Sequence, residues 1–173
     1  SLGIKKIQLK LQESQCIDSA WANNILKICR ECSFEPANLC LLVSESILSF
    51  NKSAFYTNIE ILKKAGVNFA IDGFGTDYSN LEMIIKSPID GIKIDKELLH
   101  ESFSSIKGRQ LLKGTLSMFK KLSYRVIAEG IETKEQNDYV MQSGCSYLQG
   151  FYICKPAPGD TILDHLQNSK NLY

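Results

Sequence analysis

The chain has 173 residues, of which 44% are hydrophobic, and a formal net charge of +1. This length and apolar content suit one globular domain with a sizeable core. The nearly neutral charge argues against a nucleic acid polymer as partner. No apolar run is as long as a membrane span, so we expect no membrane contact by this domain.

Cysteines are spread along the sequence without a metal-site pattern. Cys29 and Cys32 have C-x-x-C spacing, but no second pair and no nearby histidine complete the four ligands of a zinc site. We interpret the cysteines as small apolar residues in a reducing compartment. The predicted location is therefore cytoplasmic, either as a cytoplasmic protein or as the cytoplasmic part of a larger, membrane-anchored one.

Strand-like and helix-like segments alternate along the chain about six times. The strands are predicted over residues 4–11, 39–43, 67–71, 89–94, 124–128 and 147–148. The helices that follow them are predicted over residues 17–32, 53–65, 81–86, 105–122, 134–143 and 161–167. Gly66 and Gly144 end two of these helices.

The alternation indicates an α/β fold with a parallel sheet covered by helices. Two architectures remain open, a doubly wound sheet and most of a β/α barrel. No G-x-G-x-x-G follows the first strand, which argues against a dinucleotide fold. The sequence therefore favours an incomplete (β/α)8 TIM-like barrel of about six β/α units.

Polar side chains recur where the predicted strands end. They are Glu45, Asp72, Lys93, Asp95, Glu129, Glu132 and Gln149. Any single acid in such a place is commonly a helix cap. In a barrel, however, the strand ends meet at one mouth. Carboxylates gathered there would bind a hard divalent cation, and a lysine would meet a phosphate.

Four ordered motifs resemble the EAL domain family of bacterial cyclic di-GMP phosphodiesterases and receptors. They are DGFGTDYSNL at 72–81, IKIDK at 92–96, VIAEGIET at 126–133, and QGF at 149–151 with Lys155-Pro156. The resemblance implies one EAL-like domain over residues 1–173, with an EAL-type (β/α)8 barrel. It also implies that the chain corresponds to the C-terminal three-quarters of the family domain. We expect the N-terminal part, with its Glu-Ala-Leu segment, to be lacking here.

Residues that match the family pattern acquire roles from the resemblance. It implies vestigial metal ligands at Asp72 and Glu129, and vestigial catalytic roles for Lys93 and Glu129. It implies ligand contacts at Asp72, Lys93, Gln149 and Pro156, and supporting acids at Glu45 and Glu132.

Three positions of the predicted metal site depart from that pattern, and Asp77 replaces a glycine of the following loop as a milder change. Gly73 replaces a second aspartate, Leu42 replaces a glutamate ligand, and Lys10 replaces an asparagine. We hypothesise that the Lys10 ammonium takes the place of the metal and pairs with Asp72 and Glu129; the alternative is that Lys10 points to solvent.

The resemblance and its departures predict a catalytically inactive domain in cyclic di-GMP signalling. It would act as a cyclic di-GMP receptor or as a regulatory, protein-interaction module, with a protein partner or a homodimer through residues 75–81. No cofactor is expected, and Mg²⁺ or Mn²⁺ only in an active enzyme. The alternatives are an active metal-dependent phosphodiesterase and a purely structural dimerisation domain.

Overall fold

Six parallel strands follow one another across a single sheet in the computed structural model, which describes residues 6–16, 18–49, 53–76 and 81–169. They are β1 (Ile7–Lys10), β2 (Leu39–Val43), β3 (Asn68–Phe74), β4 (Gly91–Ile94), β5 (Arg125–Glu129) and β6 (Tyr147–Gln149). Each strand pairs in parallel with the next in sequence. A doubly wound sheet would reverse its strand order at a switch point. The sequential order therefore confirms the prediction of an incomplete barrel.

Helices connect the strands on the outer face of the sheet. They are α1 (Glu13–Cys16), α2 (Trp21–Glu31), α3 (Glu45–Ser49), α4 (Ser53–Lys64), α5 (Leu81–Lys86), α6 (Lys96–Ser102), α7 (Ile106–Lys121), α8 (Lys134–Gln142) and α9 (Gly159–Ser169). The helices α1, α3 and α6 were not predicted, because so few turns offer little periodicity to detect. Within the described ranges, no helix has the length and apolar character that crossing a membrane requires.

The two faces of the sheet differ in character because side chains alternate along each strand. Leu41, Phe69 and Ile92 point outward into the main core, where the helices cover them. Inward-facing residues form a second, smaller cluster of Cys40, Leu42, Ala70 and Ile127. Further along the same inner face, near the carboxyl ends of the strands, the alternation places charged residues.

Caps position the helices that leave these strand ends. Asp95 accepts a hydrogen bond from the Glu97 amide at 2.7 Å and caps α6, so this strand-end acid has a capping role. Thr133 caps α8 in a reciprocal capping box with Gln136.

The first long helix, α2, starts later than predicted. It begins at Trp21, after a turn in which Asp18 accepts from a backbone amide, and residue 17 lies outside the described part.

Candidate ligand site at the carboxyl ends of the strands

Strand register brings the inner-face residues of the first three strands towards one point. Lys10 on β1 lies opposite Leu42 on β2, and Leu42 lies opposite Ala70 on β3. Asp72 follows Ala70 on the same face, within β3. The strand was predicted to end at Ile71, but it continues to Phe74, with an irregular register between these two residues.

Gly73 lies within this irregular stretch at the end of β3. Its φ of 76° lies in the left-handed region, which a glycine adopts without steric cost. A glycine of this kind is typical of a β-bulge, which redirects the neighbouring side chains. The residue that departs from the family pattern therefore shapes the backbone next to Asp72.

Four charged side chains form an alternating row across the inner face. The Lys10 ammonium lies 2.8 Å from Asp72 Oδ2, and the Lys93 ammonium lies 3.4 Å from Asp72 Oδ1. Lys93 also lies 3.0 Å from Glu129 Oε2. The side chain of Lys93 is only 8% exposed and that of Asp72 11%, whereas Glu129 is 30% and Lys10 61% exposed. Both surviving carboxylates of the predicted site are thus bound to lysines.

Lys10 does not point freely into solvent. The hydrogen bond to Asp72 and the charge of that carboxylate raise the pKa of the Lys10 ammonium above its ordinary value. The pairing with Asp72 is as hypothesised. The ion pair of Glu129, however, is with Lys93, so the predicted contact between Lys10 and Glu129 needs correction. Glu129 contributes to the Lys10 pKa only as a neighbouring charge.

A cleft of about 460 Å³ opens over this row. Its lining includes the predicted residues Lys10, Leu42, Glu45, Asp72, Gly73, Lys93 and Glu129. Asp95, Ser44, Ser46 and Thr76 complete it. Ser44 and Ser46 share a hydrogen bond at 2.8 Å, and Ser46 donates to Glu13. The hydroxyls were not predicted, although their position directly after a strand is the signal used for the acids.

Three other predicted residues lie outside this cleft. Gln149 is exposed on β6 opposite Glu129 and lines a neighbouring cleft of about 550 Å³ on the same inner face. Glu132 is exposed on the loop after β5, and Pro156 is exposed in an irregular segment. Residues 77–80 of the first motif lie outside the described ranges, as does most of the loop predicted to dimerise.

The loop after β5 is held by a contact that the sequence did not reveal. His100 on α6 contacts the Gly130 carbonyl oxygen through Nε2 at 2.9 Å. Gly130 has a φ of 80°, and a Cβ there would approach Lys96 Cβ to 2.4 Å. Close packing of this glycine against α6 fixes the direction in which the chain leaves Glu129.

The donor set does not fit a pair of divalent ions. Such ions need several oxygen ligands each. Leu42 and Gly73 supply no side-chain oxygen, and Asp72 and Glu129 are bound to ammonium groups. Nowhere among the described residues do three His, Cys, Asp or Glu side chains form a group that could hold a metal.

Known proteins resemble this chain in sequence and in fold. The chain is 32% identical over 131 residues to a bifunctional diguanylate cyclase/cyclic di-GMP phosphodiesterase, MucR of Pseudomonas aeruginosa, covering 76% of this chain and 19% of that protein. It is 31% identical over 118 residues to the cyclic di-GMP phosphodiesterase NbdA of the same organism, covering 68% and 15%. The chain therefore spans less than a fifth of these relatives.

Solved structures agree with the fold. A MucR phosphodiesterase in complex with c-di-GMP superposes with a TM-score of 0.81 at 28% identity, covering 91% of this chain and 64% of that one. The EAL domain of Mycobacterium smegmatis DcpA gives a TM-score of 0.85 at 25% identity, covering 94% and 73%. The family model described as the EAL domain matches residues 2–156. With the sequential parallel sheet and the motifs at its strand ends, this match shows that the chain belongs to the EAL domain family.

Proposed function

We propose that this EAL domain acts in cyclic di-GMP signalling without hydrolysing the dinucleotide, as a receptor or as a regulatory, protein-interaction module. The observation that carries the proposal is the engagement of Asp72 by Lys10 and Lys93, and of Glu129 by Lys93. Two-metal hydrolysis uses such carboxylates to hold cations that activate a water molecule. Here the carboxylates already have positive partners.

Binding of the dinucleotide remains compatible with the inner face. Its phosphates would meet the exposed Lys10 ammonium at the mouth of the 460 Å³ cleft, whereas the Lys93 ammonium is nearly buried and already paired with Asp72 and Glu129. Gln149, on the neighbouring strand and exposed, offers an amide that both donates and accepts hydrogen bonds, as a guanine edge requires. Pro156 would flank the ligand from the adjacent segment. Neither cofactor nor metal is needed for these contacts.

Calorimetric titration of cyclic di-GMP into the purified chain, with and without Mg²⁺ or Mn²⁺, tests this proposal. Chromatography of the same mixtures detects any linear dinucleotide product. Metal-independent binding without product supports the receptor, and we expect Gln149→Ala to weaken it about tenfold. The exposed Gln142 on α8 provides the matched Gln→Ala control. Absence of binding leaves the interaction module, and metal-dependent product formation contradicts the proposal.

An active phosphodiesterase is the second candidate, because both curated relatives described above carry that activity in their names. An active enzyme predicts turnover that rises with added Mn²⁺ and is lost in Glu129→Gln.

A purely structural dimerisation domain remains a third prediction. It requires a mass in solution that depends on protein concentration and is unaffected by the dinucleotide. The cytoplasmic location likewise stays a prediction.

A further inference from the structure

We propose that the Lys10 ammonium is a tethered substitute for a bound divalent cation, and that Leu42 is what lets it reach Asp72. The inference deepens the proposed function, on which it rests for the nature of the ligand. It concerns the electrostatics of the cleft, which can be measured without any dinucleotide.

The path of Lys10 across the sheet supports the first part. Lys10 ends β1, whereas Asp72 belongs to β3, so the ammonium must cross the intervening strand β2. Two strand spacings amount to about 9.5 Å, which a long lysine stem and an aspartate side chain together can close. The lysine side chain therefore extends across the inner face to Asp72, although Lys10 lies on an edge strand.

Leu42 is the residue that it crosses. This side chain is buried on the inner face, directly opposite Lys10 in the register of β1 and β2. An apolar side chain there supports the methylene stem of the lysine and offers its ammonium no partner. A glutamate at the same place would lie nearer to Lys10 than Asp72 does and would capture the ammonium. The two departures from the family pattern therefore work together.

Charge in the row explains why a cation is needed. Asp72 and Glu129 carry two negative charges on the inner face, and the nearly buried Lys93 supplies only one positive charge between them. Lys10 brings the row to neutrality without a metal. A divalent ion entering the cleft would have to displace this ammonium or lie beside it, and like charges at such distances repel.

The experiment compares wild type, Lys10→Asn and Lys10→Arg in thermal unfolding, with and without millimolar Mg²⁺. Lys6→Asn is the matched control. Lys6 lies on the same face of the same chain segment, and its ammonium donates to the Ala37 carbonyl oxygen at 3.0 Å, away from the acids. Titration of Mn²⁺, followed by the electron paramagnetic resonance of the free ion, measures metal binding directly.

We expect Lys10→Asn to lower the midpoint temperature and to recover part of the loss when Mg²⁺ is added. We expect it to bind Mn²⁺ at least about tenfold more tightly than wild type. Lys10→Arg and Lys6→Asn should behave as wild type. The inference is overturned if Lys10→Asn is no less stable than Lys6→Asn, or if wild type binds Mn²⁺ as tightly as Lys10→Asn. Neither result depends on whether cyclic di-GMP binds, so failure of the proposed function remains distinguishable.

Discussion

Replacing Lys93 by methionine removes the central positive charge of the row while keeping a long side chain. Lys93 is nearly buried and lies 3.4 Å from Asp72 and 3.0 Å from Glu129. Leaving a buried carboxylate without its partner costs about 3–5 kcal/mol. Here Asp72 keeps Lys10 and Glu129 retains solvent access, so we expect about 3 kcal/mol. That cost is a large part of the stability of a domain of this size.

Urea unfolding followed by circular dichroism measures this loss, with an unchanged slope expected if the fold is kept. Lys86→Met is the control, because the Lys86–Glu82 pair is exposed on both sides and exposed pairs contribute at most about 1 kcal/mol. Adding Glu129→Gln to Lys93→Met should recover part of the loss by removing the stranded charge. A cost for Lys93→Met no greater than that for Lys86→Met would refute the reasoning.

Three further outcomes follow from the same geometry. The pKa of Lys10 is raised above 10.5, so its stabilising contribution is present below that value and is lost as the pH rises through the folded-state pKa. The stability gap between wild type and Lys10→Asn should therefore close in alkaline urea titrations, whereas the gap between Lys10→Arg and Lys10→Asn should persist because arginine stays charged. Gly73→Asp should lower the free energy of unfolding measured in urea by about 1 kcal/mol or more, because φ is positive and the new Cβ would lie 3.9 Å from Asp95 Oδ2. Gly73→Ala introduces the same backbone strain without the charge. Equal losses for the two variants would contradict a charge effect. Gly130→Ala should cost about 2–3 kcal/mol, because its Cβ would meet Lys96 Cβ at 2.4 Å, and an unchanged midpoint would exclude that clash.

The pattern of the sequence was sufficient for the order of the strands and for the edge at which the polar residues meet. Apolar runs such as that of β2 are continuous because both faces are covered, and their alternation with helices admits few topologies. The motifs that identify the family lie at strand ends for the same reason. These features depend on local composition and periodicity, which a single sequence carries.

Other features depend on contacts between distant segments. Glu129 was predicted to pair with Lys10, but the register places Lys93 nearer to it. The end of β3 beyond Asp72 contains Gly73 in the left-handed region. The presence of a glycine in a sequence motif does not predict the sign of its φ. The contact of His100 with Gly130 joins residues on different β/α units, and the short helix α6 gave no periodic signal.

The strand that carries Lys10 is also one of the two edge strands of the sheet, as far as the structure describes it. In the described part of the chain β1 pairs with β2 alone, and Ile7 and Leu9 remain exposed on its outer side. Backbone amides of such a peripheral strand exchange with solvent through local opening, before the central strands unfold. Asp72 and Lys93 lie on β3 and β4, which are flanked on both sides. Fraying of β1 would therefore withdraw one ammonium while its partners stay in place, so that the charge of the cleft follows the opening of this single strand.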